Sequence, residues 1–216
     1  MIGPEPPQPL LRGWLHAGAF VAVLVAGPLL AAAGRSSGER VALVVYVLAL
    51  LALFGVSAAF HRLDWSLEGR RRMRRADHSA IFVGIAGTYT AVAVLALHGP
   101  ARVGLLVVVW TGTAAGVAFR QLWLEAPGWA IAAPYVAVGW CALLVLPQLW
   151  RGLGQGGFAL VLAGGVADTV GAAVYVRQRP DPAPAVFGYH EVFHACTVVG
   201  ATLDFLAIAL YALPRS

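Results

Sequence analysis

Apolar residues fall into seven runs, at about 14–33, 41–60, 78–97, 103–119, 129–147, 157–176 and 192–213. Each approaches the roughly 20 residues that cross a hydrocarbon core of about 30 Å. Turn-forming residues and arginines separate the runs: Gly34 to Arg40, Arg62 to Asp77, Gly99 to Arg102, Arg120 to Gly128, Arg151 to Gly156 and Arg177 to Gly188. The pattern predicts an all-α protein, a seven-transmembrane-helix bundle, with 1–13 as a cytoplasmic N-terminal tail and 14–216 as the transmembrane domain. The fourth run is the shortest, and Pro134 predicts a kink in the fifth. The first run lacks a strongly basic preceding region and is soon followed by a second of equal length, so it reads as a retained span rather than a signal peptide. Pro4–Pro9 and Pro180–Pro184 read as an extended tail and a loop.

Composition agrees with the pattern. Hydrophobic residues make up 60% of the chain and charged residues 12%, against roughly 45–50% and about 25% in soluble domains. A soluble fold this apolar could not cover its own surface. The net charge of +5 raises nucleic acid as a partner, but the cations sit in short loops between apolar runs. That arrangement excludes nucleic acid and points to membrane lipids as the partners. Every one of the 15 basic residues is an arginine. With the N-terminus inside, ten arginines face the cytoplasm and five the other side; the excess places the N-terminus in the cytoplasm and the C-terminus outside. The wealth of Ala, Gly and Arg without Lys suggests a GC-rich bacterial genome, hence a multi-pass protein of the bacterial plasma membrane.

Polar groups at the edges of apolar helices mark the candidate chemistry, because they are expensive there. Three clusters stand out: Ser57 to His61 ending the second span, Asp77-His78 opening the third, and Tyr189 to His194 opening the seventh. The arginine-based topology puts all three at one depth, on the cytoplasmic side. His190 and His194 are four apart, so one helix face presents both. With His61 from the second span they make three imidazoles and leave a fourth position open, the arrangement of a catalytic zinc site. Asp77 is placed to orient or deprotonate a water on that metal, and Ser57 to support it or hold a substrate oxygen.

Simpler roles exist for the same residue types. His16, His78 and His98 read as interfacial or satisfied histidines, and Asp77 also has the position of a helix cap. Cys141 and Cys196 both fall inside spans, which suggests packing rather than a disulfide. His190-Glu191-Val192-Phe193-His194 fits the H-E-x-x-H protease pattern. The metzincin extension is missing, since Thr197 and Gly200 stand where glycine and histidine are needed, and no glutamate follows Glu191. Glu191 is therefore expected to be nearly silent.

Several segments together resemble the bacterial haemolysin III proteins, a family grouped with the adiponectin and progestin receptors and similar to the alkaline ceramidases. They are Leu11-Arg12-Gly13-Trp14-Leu15-His16, Gly55-Val56-Ser57-Ala58-Ala59-Phe60-His61, Asp77-His78 with Ile85 to Thr90, and Phe187-Gly188-Tyr189-His190-Glu191-Val192-Phe193-His194. The ordered S-x-x-x-H, D and H-x-x-x-H set carries the specificity. The resemblance implies a seven-helix bundle, zinc held by His61, His190 and His194, and a hydrolase-like site with Asp77 and Ser57 near the cytoplasmic face. Two positions depart from it: Ala91 stands where relatives usually have proline, and Asp204 where many have an apolar residue or histidine.

The expected function is a zinc-dependent integral membrane hydrolase that cuts an amide or ester in a lipid. The alternatives are a sensor or receptor-like protein with structural zinc, and a membrane-permeabilising factor. The arginines from Arg70 to Arg75 are expected to fix topology and to attract anionic lipids at about 1 kcal/mol each.

Overall fold

The computed structural model describes residues 9–216, and all but Pro9 of the Pro4–Pro9 tail lies outside them. The described chain is almost entirely helical: α1 Trp14–Ala32, α2 Ser37–Arg62, α3 Leu67–Ala96, α4 Gly99–Leu122, α5 Gly128–Gly139, α6 Leu146–Arg177 and α7 Tyr189–Ala207. A 3₁₀ segment, Trp140–Val145, joins α5 to α6, and α7 continues through a π turn at Ile208–Ala212 into Leu213–Arg215. Among the described residues six helical segments are long and apolar enough to cross a membrane, the fifth running without a loop over Gly128–Arg177. Large apolar side chains such as Val25, Leu29, Val44, Leu48 and Val107 point outward, as they must where the surrounding medium is lipid. This is a multi-pass membrane protein.

The helices exceed the apolar runs because capping residues lie beyond the apolar stretch. Ser36 accepts the Glu39 N–H at 3.2 Å and starts α2, while Ser66 accepts the Gly69 N–H at 3.1 Å and starts α3. Three expectations change as a result. Most of the break expected from Arg62 to Asp77 is the first turns of α3. Asp77 lies inside that helix and caps nothing. The fourth span is not short, because Pro100 in the first turn lets α4 begin at Gly99 and run 24 residues.

At 30 residues, α3 is about 45 Å long, roughly 15 Å more than the hydrocarbon core. The excess matches the stretch from Leu67 to Ala76, which lifts the arginines clear of the apolar layer and leaves Asp77 near its boundary. Below that point α3 is the central helix, packed against α2, α4, α5 and α6, with Phe82, Ala86, Ala91 and Ala93 fully buried.

The expected break from Arg151 to Gly156 appears as a kink. Gly154 has φ 67° and ψ 177°, a conformation open to glycine alone, and α5 packs against α6. Pro134 lies within α5, which runs on to Gly139; the distortion in this stretch is the 3₁₀ segment, which begins six residues later at Trp140. The seam between α6 and α7 is built on small residues: Gly157 lies opposite Tyr211, Gly164 opposite Asp204, and Gly171 opposite Cys196. All three glycines are buried, and a side chain on any of them would hold the helices apart. Cys196 is a packing residue in this seam, and both cysteines are free.

Candidate metal centre

Four elements meet at the end of the bundle where α1, α3 and α7 begin and α2 ends. His61 occupies the last turn of α2, and His190 and His194 the first turns of α7. Their ligating atoms lie within 4.8 Å of one another. The ring centroids are 4.9 Å apart for His61 and His190, 5.1 Å for His61 and His194, and 4.6 Å for His190 and His194. Three imidazoles bound tetrahedrally to one ion at 2.0–2.1 Å have centroids about 5 Å apart. The ring spacing therefore fits a shared metal. Nε2 of His61 and Nδ1 of His194 are buried with no hydrogen-bond partner, as free ligand atoms are. Buried polar groups are otherwise almost always satisfied.

The site has a floor that sequence reasoning missed. His16 of α1 is 3% exposed, neither interfacial nor satisfied: both of its ring nitrogens are buried without partners. Its ring stacks on His194 at 3.8 Å and 11° and meets Phe54 edge-on at 5.2 Å. A centroid distance of 3.8 Å is too short for two imidazoles at tetrahedral positions on one ion, so His16 supports His194 from outside the group of three. The position of His16 after Leu11-Arg12-Gly13-Trp14-Leu15 was the only available signal.

The N-terminal turn is held onto the site. Gly13 has φ 80°, and a Cβ there would sit 2.8 Å from Cβ of His61. Leu10 and Leu11 donate backbone N–H bonds to Ala185 and Val186 carbonyls, each at 3.1 Å. Arg12 forms an ion pair with Glu191. Glu191 is 1% exposed, and its second oxygen accepts the Gly188 N–H at 2.8 Å, capping α7. The glutamate of the H-E-x-x-H string is thus engaged by an arginine and a helix end, a structural role.

Ser57, 2% exposed on α2, faces the Asp77 carboxyl on α3. Asp77 and His190 both line a cavity of about 190 Å³ that runs between α3, α5, α6 and α7, with walls of Leu, Ile, Val and Phe side chains. Beside Asp77, His78 is satisfied, as expected: Nδ1 contacts Nε of Arg120 at 3.1 Å, and Tyr135 donates to its carbonyl at 3.1 Å. Arg120 is fully buried and also donates to the Trp123 and Leu124 carbonyls, tying the end of α4 to α3. Among the described residues the histidine group numbers three. His98 stands apart from it, before α4.

The sequence pattern of Haemolysin-III related proteins matches residues 5–205, so the chain belongs to that family. It is 29% identical over 176 residues to Hemolysin-3 of Bacillus cereus, covering 82% of this chain and 77% of the relative. Against the Hemolysin-3 homolog of Bacillus subtilis (strain 168) it is 26% identical over 176 residues, covering 82% and 79%.

Proposed function

We propose that this haemolysin III-related membrane protein is a zinc-dependent hydrolase that cleaves an amide or ester in a lipid at the cytoplasmic side of the bacterial plasma membrane. The observation that carries the reading is the convergence of three imidazoles, two with unpartnered ring nitrogens, beside an apolar cavity. His61, His190 and His194 would hold the ion, and with no fourth ligand in the group one position is left for substrate. Bound there, zinc supplies a Lewis acid that polarises a carbonyl and brings the ionisation of water near neutrality.

The chain's own residues supply the rest. The apolar cavity receives an acyl chain and keeps bulk water from the reacting carbon. Asp77, on the cavity wall with His190, takes the proton from the attacking water on a carboxyl oxygen and returns it to the leaving group. Ser57 holds that carboxyl in place from α2. Arg71 and Arg72, exposed on the overhang of α3, draw anionic lipid towards the opening. A permeabilising pore has less support, because a pore needs a continuous polar lining and this wall is chiefly apolar.

The reading includes seven membrane crossings, N-terminus inside, and parity supports it. The end of α2 and the start of α7 meet at the histidines, so an even number of crossings lies between them. With α3 and α4 counted, the reading has the segment Gly128–Arg177 cross twice, folding back at the kink at Gly154.

The test combines metal analysis with lipid digestion. Purified protein is expected to carry about one zinc per chain with three imidazole ligands in X-ray absorption spectra. His61→Ala, His190→Ala and His194→Ala should each lower occupancy sharply. Asp77→Asn should keep the zinc and lose hydrolysis of vesicle lipids, followed by mass spectrometry. Full zinc in His61→Ala would refute the shared site, and a coordination shell filled by four protein ligands would favour the structural-zinc sensor.

A further inference from the structure

A second polar group lies deeper in the bundle. Gly164 and Asp168 on α6 and Gly200 and Asp204 on α7 form the same G-x-x-x-D pattern on two packed helices. The patterns interlock. A Cβ on Gly200 would lie 2.5 Å from Oδ1 of Asp168, and a Cβ on Gly164 would lie 3.0 Å from Oδ1 of Asp204. Each carboxyl therefore occupies the notch left by the other helix's glycine. Gly200 is about 15 Å further along α7 than His190, and Asp204 about 21 Å, so this pair lies well inside the hydrocarbon layer.

Both carboxyls line the cavity that also reaches Asp77 and His190, which provides a path from the cytoplasmic end. Among the described residues no hydrogen bond or ion pair reaches either carboxyl, and each one's charged neighbour is the other acid or nothing. The surrounding hydroxyls are mostly committed. Tyr89 accepts the Ala142 N–H at 2.9 Å and donates to Gly139. Thr169 donates to the Gly165 carbonyl at 2.7 Å and Thr197 to that of Phe193 at 3.2 Å. Tyr46 of α2 is the exception. It is fully buried, its hydroxyl has no partner, and Asp204 is the charged group near enough to act on it.

Acidic side chains in hydrocarbon without a countercharge are costly. The available donors are all oxygens: two carboxyls and a free phenol. Such a set suits hard cations and contrasts with the imidazole set at the bundle's end. We infer that Asp168, exposed to the cavity, and the half-buried Asp204, with Tyr46 near them, form an oxygen-donor site for one hard metal cation, sodium or calcium, on the cavity wall and separate from the histidines. The inference does not depend on hydrolysis.

The full chain is purified in detergent with choline chloride as the only salt, then titrated with NaCl, CaCl2 or more choline chloride. Equilibrium binding of radioactive sodium or calcium should saturate at about one ion per chain, and the bound ion should raise Tm by about 5–10 °C at a hundredfold excess over Kd. Saturation by calcium with sodium inert identifies a divalent site, and the reverse a sodium site. Asp168→Asn and Asp204→Asn, which keep side-chain volume, should lose the binding and the shift while retaining zinc. His61→Ala should lose zinc and keep the cation. No saturable binding to the parent protein, stabilisation by acid alone, or equal stabilisation by choline would overturn the inference, whether or not the variants fold.

Discussion

Glu191→Gln separates two readings of the H-E-x-x-H string. The glutamate pairs with Arg12 and caps α7 through the Gly188 N–H. Glutamine preserves the cap, because its carbonyl oxygen still accepts that N–H, but its NH2 group then meets the Arg12 Nε–H donor and the charged hydrogen bond to Arg12 is lost. A hydrogen bond to a charged group contributes about 1.5–3 kcal/mol, and Arg12 at 17% side-chain exposure recovers part of its hydration. The expected loss is therefore about 2 kcal/mol, or about 4–8 °C in Tm for a chain of this length. Arg12→Ala is the harsher change. It leaves a carboxylate that is 1% exposed without its countercharge, at a cost of about 3–5 kcal/mol. The double variant Arg12→Ala with Glu191→Gln should be more stable than Arg12→Ala alone, since the uncompensated charge is gone. Thermal unfolding in detergent, followed by tryptophan fluorescence with zinc content measured in parallel, reads all four proteins. Zinc should persist in Glu191→Gln. A variant with parental Tm that retains zinc and hydrolyses nothing would make Glu191 an acid–base group and refute its anchoring role.

The arginine bias predicts that a reporter fused after Ser216 is active only outside the cytoplasm; activity inside would reverse the orientation and move the histidines to the outer leaflet. At Gly157 an added Cβ would stand 2.7 Å from Cβ of Tyr211 and 3.0 Å from Cβ of Leu153, so Gly157→Ala should cost about 1–3 kcal/mol, seen as a lower Tm. Parental stability there would mean that α6 and α7 pack in a different register. Arg71→Gln with Arg72→Gln leaves Arg74 on Glu125 and Arg70 near Phe60. It should insert and bind zinc normally while losing preference for anionic over zwitterionic vesicles, and an unchanged preference at low salt would confine the cluster to topology.

Much of this architecture is readable from hydropathy, because lipid demands long apolar helices and leaves few alternatives. What hydropathy misses is where a helix continues past the apolar layer. The stretch from Leu67 to Ala76 is polar and reads as a loop, yet Ser66 caps it and the pair Arg72–Glu68, spaced four apart at 3.0 Å, lies along it as helix. Gly154 shows the opposite ambiguity: the glycine-rich sequence marks a break, but helical hydrogen bonding persists on both sides of a single reversed residue. The three histidines were legible because their spacing and depth are properties of helices. His16 was not, because a lone histidine in an apolar run carries no period. The stacking partner that gives it meaning is His194, 178 residues away in sequence.

The same distinction explains why Asp204 had no account in the sequence. One acid in an apolar helix is an isolated cost. Its role depends on register, and register between α6 and α7 follows from the small residues that let their backbones approach. Gly157 against Tyr211, Gly164 against Asp204, Gly200 against Asp168 and Gly171 against Cys196 are successive contacts of one antiparallel alignment. Within that alignment the two acids cannot be chosen independently. A slip of one helical turn would drive Asp168 away from Gly200 and against Asp204 or Cys196, losing both notches at once. The glycines therefore do two things with one geometry. They close the seam that holds His190 and His194 steady at the end where α7 begins, and they keep two carboxyls facing a shared space deeper along the helices. A substitution that loosens the seam should consequently weaken binding at the proposed zinc site and at the proposed inner cation site together, although no single residue touches both.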